Sequence, residues 1–342
     1  MIFNDFRKRF WPMIMWQITI LPTRHISNWK LRRFVNGLLV PLYILRNIGS
    51  FFSSRFILPV VTLTVTRRCI LNCKECVSLY QYYRVAKGGD ISFQDLAPVI
   101  DRLYNSVDGV HSVCMGGGEP FMNPEISSII DEVANSPKVS WVRTYTTGMP
   151  IPSEKVLKSL ANPKVTVGVS DYGEISKTIR NGTIQSTFEA AGVMYRIENN
   201  SWQDFGGFEF RNRTKRELAR QFSGCWARMC LNVINGELHY CPRSAYGMDL
   251  GIIPRNPDDY VDLMSGTTEE VRAKIKKFLK KDHISVCNYC DGCGKTSTLR
   301  GVQVRSVTNK VISKLDPLAE MSIAGKSSMV EDEPQRSTNA ST

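Results

Sequence analysis

From residue 58 onward, short runs rich in β-branched residues alternate with stretches in which apolar residues recur every three or four positions. The first pattern predicts strands and the second predicts helices. Residues 58–66 (LPVVTLTVT) form the first strand, which is too continuously apolar to lie half exposed. Ser92 can cap a helix over 93–107 whose Leu96, Val99, Ile100 and Leu103 share one face. Strands follow at 110–115, 139–145, 164–170 and 193–197, separated by helices at 124–134, from Ser153, and at 175–179 and 185–191. This alternation is α/β, the pattern of a parallel βα repeat. Five or six units suit a partial, open (β/α)6 TIM-like barrel rather than a closed eight-stranded one. In such a barrel the loops at the carboxyl ends of the strands form the active face.

After a helix at 214–222 the character changes. Residues 229–234, Asn235-Gly236 and 237–240 read as a tight hairpin, because Asn-Gly accepts the positive φ values of a type I′ turn. An amphipathic helix at 268–281 follows, and the segment ends at a cysteine group beginning with Cys287. The expected organisation is an extension over 1–57, a barrel core over 58–222, a small cysteine-rich hairpin-plus-helix domain over 223–297, and a tail over 298–342. From about residue 315 the tail turns to Ser, Glu, Lys and Ala without periodicity and reads as disordered.

Charge changes this picture at one end only. The chain has 342 residues and a net charge of +12, yet the first 57 residues hold nine Lys/Arg against Asp5 alone. The remainder is nearly balanced, so the basic character belongs to the extension and does not describe a nucleic-acid-binding fold. The apolar run 10–21 follows Arg7-Lys8-Arg9 but contains Pro12 and Gln17 and leads to no small-residue cleavage site, which argues against export. It is shorter than the roughly 20 residues a bilayer span needs. The extension suits either a peripheral position on the inner membrane face of a cytoplasmic protein or packing on the main domain.

The ten cysteines are grouped: three within 69–76, three within 225–241, three within 287–293, and Cys114 alone. Such grouping points to metal ligands kept reduced in the cytosol rather than to disulfide staples. Cys69, Cys73 and Cys76 lie on one eight-residue loop after the first strand, close enough to hold three corners of a [4Fe–4S] cluster while one iron stays open to a small chelator. Alone, this spacing could equally be a zinc loop. Gly116-Gly117-Gly118-Glu119-Pro120 follows the second strand, where glycines permit close backbone approach and Glu119 can accept hydrogen bonds from an ammonium group. Alone, this would be an ordinary turn; the two motifs together, in this order, make chance a poor account.

Residues 58–222 resemble the core of the radical S-adenosylmethionine (SAM) superfamily, whose CxxxCxxC and GGE motifs stand here intact. The resemblance implies that SAM chelates the open iron and that one electron from the cluster cleaves it to methionine and a 5′-deoxyadenosyl radical, which takes a hydrogen atom from substrate. Gly117, Gly118, Glu119 and Pro120 would then hold the methionine amino end. Thr147 lies in a Thr146-Thr147-Gly148 turn after strand three, while Ser170 and Asp171 approach the ribose or carboxylate, with Lys177 or Arg180 as a carboxylate partner. The residue before the third cysteine, usually aromatic in the family, is Glu75 here.

The later cysteines resemble the SPASM or shorter Twitch extension. Cys225, ten residues, Gly236, four residues, Cys241, and then Cys287-Asn-Tyr-Cys290, fit its spacing, leaving Cys230 and Cys293 over. The resemblance implies a second iron–sulfur cluster, and a Cys₄ zinc site would suit the same ligands. An electron donor such as flavodoxin or ferredoxin is implied as partner. The substrate expected is a small molecule, such as a carbohydrate, because residues 1–57 lack the alternating strands of a peptide-recognition module. A peptide- or protein-modifying maturase and a non-catalytic iron–sulfur protein are the rivals. His25, His111, His239 and His283 form no spaced pair and read as packed or surface residues. Cys114 reads as a buried filler. Trp202 and Asp204, after strand five, stand where substrate would lie, with Asp204 a candidate for taking a proton.

Overall fold

The computed structural model describes residues 55–86, 89–199, 202–293 and 297–304. Most of the basic extension, and the tail from residue 305, lie outside the described residues, as do the readings made of them.

Strands β1 (Ile57–Thr66), β2 (Gly109–Gly117), β3 (Val139–Thr146), β4 (Val165–Ser170) and β5 (Tyr195–Glu198) lie side by side in sequence order, each parallel to the next. The helices between them are α1 (Tyr80–Ala86), α2 (Phe93–Ser106), α3 (Ile126–Asn135), α4 (Glu154–Leu160), α5 (Lys177–Arg180) and α6 (Thr183–Ala190). One face of the sheet carries Leu58, Val61, Leu63 and Val65 of β1 with Val113 and Met115 of β2; these pack with Ile100 and Leu103 of α2 and Ile126, Ile129, Ile130 and Val133 of α3, all buried. Ser92 caps α2 as its sequence suggests, its side chain accepting from the Asp95 N–H at 3.1 Å.

A two-residue strand, β6 (Trp202–Gln203), and helix α7 (Lys215–Gly224) come next, α7 held by a Thr214–Glu217 capping box. The predicted hairpin is β7 (Leu231–Ile234) and β8 (Glu237–His239), turned by Asn235 and Gly236 at φ +51° and +76°. Its placement departs from the expectation of a separate unit. Strand β7 pairs in parallel with β1, Val61 opposite Leu231, so the hairpin extends the main sheet on the edge away from β5. That makes six parallel strands, as a (β/α)6 arc requires. The antiparallel β8 and β9 (Tyr260–Asp262) then complete an eight-stranded sheet.

Helix α8 (Pro242–Asp249) follows β8, and α9 (Thr268–Phe278) rests its Val271, Ile275 and Phe278 on the core. A final short strand, β10 (Ser297–Thr298), pairs antiparallel with β6. Hairpin and arc are fastened by Asp249, which accepts from Arg67 Nε (3.0 Å), the Tyr83 hydroxyl (2.6 Å) and Asn235 Nδ2 (2.7 Å). Among the described residues no helix is long and apolar enough to cross a membrane.

Candidate active site

The three glycines at the end of β2 explain how the cysteine loop after β1 is seated. A Cβ on Gly116 would stand 2.3 Å from Thr62 Cγ2, and one on Gly117, at φ +154°, 2.9 Å from the Thr66 carbonyl. On Gly118 it would stand 2.2 Å from the Arg68 carbonyl and 2.5 Å from Cys69 Cβ. Only bare backbone lets this strand end lie against the loop. The loop is anchored at its start by Arg68, which donates to Asp90 Oδ1 at 3.0 Å and to the Met122 carbonyl.

Cys69, Cys73 and Cys76 all face one cavity of about 710 Å³ at the carboxyl ends of the strands, within the size range of small-molecule sites. Leu79, at φ +60°, bends the chain after Cys76, and its N–H donates to the Cys76 carbonyl at 3.0 Å. Burial pushes the Cys69 thiol up to about 12 and the Cys73 thiol up to about 11, and raises Cys76 likewise. Three buried thiols on one wall would stay protonated at neutral pH unless a cation drew off the protons, as an iron ion does when it binds thiolate. Among the described residues no three His, Cys, Asp or Glu side chains gather closely enough for a single ion. Thiolates sharing one tetrahedral ion at about 2.3 Å stand ~3.8 Å apart, whereas in a cluster each binds its own iron. Three soft sulfur donors on one short loop, all facing the same cavity, suit the [4Fe–4S] group that the motif implies.

Gly117, Gly118, Thr147 and Ser170 line the cavity, as the sequence suggests. The Glu119 carboxylate is placed differently. It is fully buried and turned into the loop after β3, where Oε2 accepts from the Thr147 N–H (2.7 Å) and hydroxyl (2.6 Å), and Oε1 from the Thr146 hydroxyl (2.9 Å) and the Phe121 N–H (3.3 Å). It staples two strand ends together; Pro120 beside it, itself buried, starts a 3₁₀ turn. Asp171 and Arg180 are also not on the cavity wall. They pair with each other at 2.9 and 3.1 Å, and Asp171 Oδ1 also accepts from the Gly173 N–H. Charge placed nine residues apart across a turn pairs locally, away from the cavity wall. Asp204 likewise accepts from the Gly206 N–H at 2.7 Å and does not face the cavity.

The rest of the wall comprises Trp202, which its place after strand five suggested, and residues that sequence patterns did not single out as site residues. Tyr172 and Trp202 meet edge to face at 5.8 Å, Phe205 and Trp226 at 6.3 Å, and Trp226 Nε1 donates to Gln203 Oε1 at 2.9 Å. Tyr145, Asn232, Cys114 and His111 line the sheet side. Burial pushes His111 down to about 4, so the ring is neutral near pH 7. Glu75 faces the cavity and pairs with Lys74 at 3.5 Å. Among the described lining residues Glu75 is the sole carboxylate, and no Lys or Arg is present.

A second thiol group stands beside the first. Cys225, Cys241, Cys290 and Cys293 pack around Phe205 and Ala227, with Cys225 and Cys293 sulfurs 2.9 Å apart. Cys287 is close enough to be raised to about 12, chiefly by burial and then by Cys290 and Cys225. The loop bearing Cys287 and Cys290 is tied by its carbonyls: Arg213 Nη1 donates to both (2.8 and 2.7 Å), and so does Gln221 Nε2 (3.1 and 2.9 Å). Cys230 is separate from this group and lines the cavity.

No family model matches the chain. A GTP 3′,8-cyclase of Clostridium acetobutylicum is 30% identical over 129 residues, which cover 34% of this chain and 40% of the cyclase. The chain thus spans about two fifths of the length of that curated relative. Among solved structures, BtrN in complex with AdoMet and 2-DOIA aligns over 72% of this chain and 98% of its own at 15% identity and a TM-score of 0.44. Native anSMEcpe with bound AdoMet aligns over 80% and 100% at 12% identity and a TM-score of 0.44.

Proposed function

We propose that the chain is a radical SAM enzyme that binds a cluster on Cys69, Cys73 and Cys76, cleaves SAM reductively, and removes a hydrogen atom from a small, uncharged polar substrate. The observation that carries this reading is the convergence of these three thiols, Gly117, Gly118, Thr147 and Ser170 on one cavity. When bound, the cluster and SAM supply the radical. The protein's own work is to orient and to exclude water. Gly117 and Gly118 bring backbone against the ligand, Thr147 and Ser170 offer hydroxyls, and the Tyr172, Trp202, Phe205 and Trp226 rings close the side.

Charge narrows the substrate class. A nucleoside triphosphate brings several negative charges, and the described wall, with no Lys or Arg and one carboxylate, offers them no partner. The neutral His111, Tyr145, Asn232 and Gln203 suit hydroxyl and amide groups instead. The second thiol group would hold an auxiliary cluster that accepts the electron left on the substrate radical, which supports an oxidised product.

Anaerobic reconstitution tests the reading. Full loading should bring about eight irons per chain, against about four irons and one zinc if the second site is a zinc site. With SAM and dithionite, 5′-deoxyadenosine should form. Cys73→Ala should abolish it, and Cys287→Ala should leave uncoupled SAM cleavage in place. Equal loss in both folded variants would refute separate roles for the two thiol groups.

A further inference from the structure

Residues 297–304 run as a strap across the loop that carries the three cysteines. Strand β10 pairs with β6, and further on the Lys74 N–H donates to the Val302 carbonyl at 2.8 Å. The Val304 N–H donates to the Asn72 carbonyl at 2.8 Å, and Asn72 Nδ2 to the Val304 carbonyl at 2.6 Å. Cys73 and Gln303 form an isolated antiparallel bridge. Gly301, at φ +67°, lies flat against Tyr172, whose Cδ1 a Cβ would approach to 2.5 Å.

The amide of Gln303 has its orientation fixed by two partners of one kind each. The Asn72 N–H can only donate and lies 2.6 Å from Oε1; the Gly301 carbonyl can only accept and lies 2.7 Å from Nε2. The amide nitrogen therefore carries one further hydrogen, and Cys73 Sγ lies 3.2 Å from it. The backbone beside the trio is fixed by the chain itself, the Leu79 N–H donating to the Cys76 carbonyl at 3.0 Å. Gln303, from a segment 230 residues away, is the side-chain donor among those described for the trio.

We propose that Gln303 is a positioning residue that acts through Cys73: its amide donates a hydrogen bond to the ligating sulfur and raises the reduction potential of the cluster held there. This rests on the radical SAM reading. The physical reason is that a donor withdraws electron density from the thiolate and stabilises the reduced, more negative cluster more than the oxidised one. The strap also makes this contact conditional on the carboxyl-terminal segment being docked.

The test is a redox titration of the anaerobically reconstituted full chain, following the electron paramagnetic resonance signal that changes when SAM is added. Gln303→Met keeps length and neutrality but removes the donor; Gln303→Glu keeps the acceptor for Asn72 and replaces the donor with a charged oxygen. In Gln303→Met the reduced-to-oxidised ratio at the wild-type midpoint should fall about tenfold, equivalent to about 59 mV for one electron, and in Gln303→Glu further. Iron content and resistance to cleavage at Arg300 by trypsin should match wild type in Gln303→Glu, showing the strap still docked. An unchanged midpoint in both variants, or a fall in Gln303→Glu alone, overturns the inference while leaving the radical SAM reading standing. A wild-type chain with no SAM-responsive signal overturns both.

Discussion

Glu119 is the residue whose role the structure changes most, and its replacement is the sharpest test of that change. Glu119→Ala would remove the acceptor for two hydroxyls and two backbone N–H groups in a fully buried place. The hydroxyls can rotate toward other acceptors, but the Thr147 N–H cannot, and a buried donor left unmet costs about 1–3 kcal/mol. Adding the hole left by the side chain brings the expected loss to about 3–5 kcal/mol. Glu119→Gln keeps one oxygen for the Thr147 N–H and can turn its NH₂ toward the Thr146 hydroxyl, so only the weaker 3.3 Å contact with the Phe121 N–H is surrendered with certainty. Its expected loss is about 1–2 kcal/mol. Urea unfolding of the two variants measures both, and SAM affinity should weaken in the same order as the strand ends loosen. A Glu119→Gln protein with wild-type stability but no SAM binding would refute the staple and show the carboxylate touching the ligand.

Other expectations follow from the same geometry. Gly118→Ala drives a Cβ to 2.2 Å from the Arg68 carbonyl and 2.5 Å from Cys69 Cβ; the loop must shift, so reconstituted iron per chain should fall while circular dichroism stays native, and full iron loading would contradict the close fit. Asp249 is pulled upward by burial, but the Tyr83 hydroxyl, the Arg67 guanidinium and the Asn235 amide outweigh this and hold it below the ordinary carboxylate value. A depressed folded value means its stabilisation is complete above the unfolded value of about 3.9 and is lost as pH falls through the folded one. Asp249→Asn should therefore cost about 1–3 kcal/mol at pH 7 and show a flatter loss of stability below about pH 4 than the wild type. Identical urea midpoints for both proteins at pH 7 would refute this.

The strands were legible because each is a short β-branched run between turn-formers, and β1 to β5 fall within a few residues of their predicted bounds. Local pattern said less about faces. The Thr residues of LPVVTLTVT alternate with Val and Leu, so Thr62 looks into the cavity while Val61 and Leu63 face the helices. Helix α8 was missed for a physical reason: every residue from Pro242 to Met248 is buried, so no polar face marks its period, and Gly247 weakens its propensity. The three-residue β9 and two-residue β6 and β10 are too short to alternate detectably. Gly117, Gly118, Thr147 and Ser170, singled out by motif and place in the arc, line the cavity, as does Trp202; the rest of its aromatic side comes from loops whose partners are set only by tertiary contact.

Pairing between β7 and β1 also sorts the cysteines that spacing left ambiguous. Because Val61 lies opposite Leu231, the residue just before β7, Cys230, is drawn to the inner wall of the cavity, and burial raises its thiol to about 12 beside Cys114. Cys225, five residues earlier, is across the 3₁₀ turn Trp226–Met229, on the far side of Phe205 and Ala227 with Cys290 and Cys293. The 2.9 Å approach of Cys293 to Cys225 makes Cys293 part of the second thiol group. Cys230 instead shares its cavity wall with Asn232 and Met229. Spacing in sequence leaves Cys230 and Cys293 equally unassigned. One parallel strand pair separates them, by fixing which side of a single 3₁₀ turn faces the ligand and which faces the auxiliary thiols.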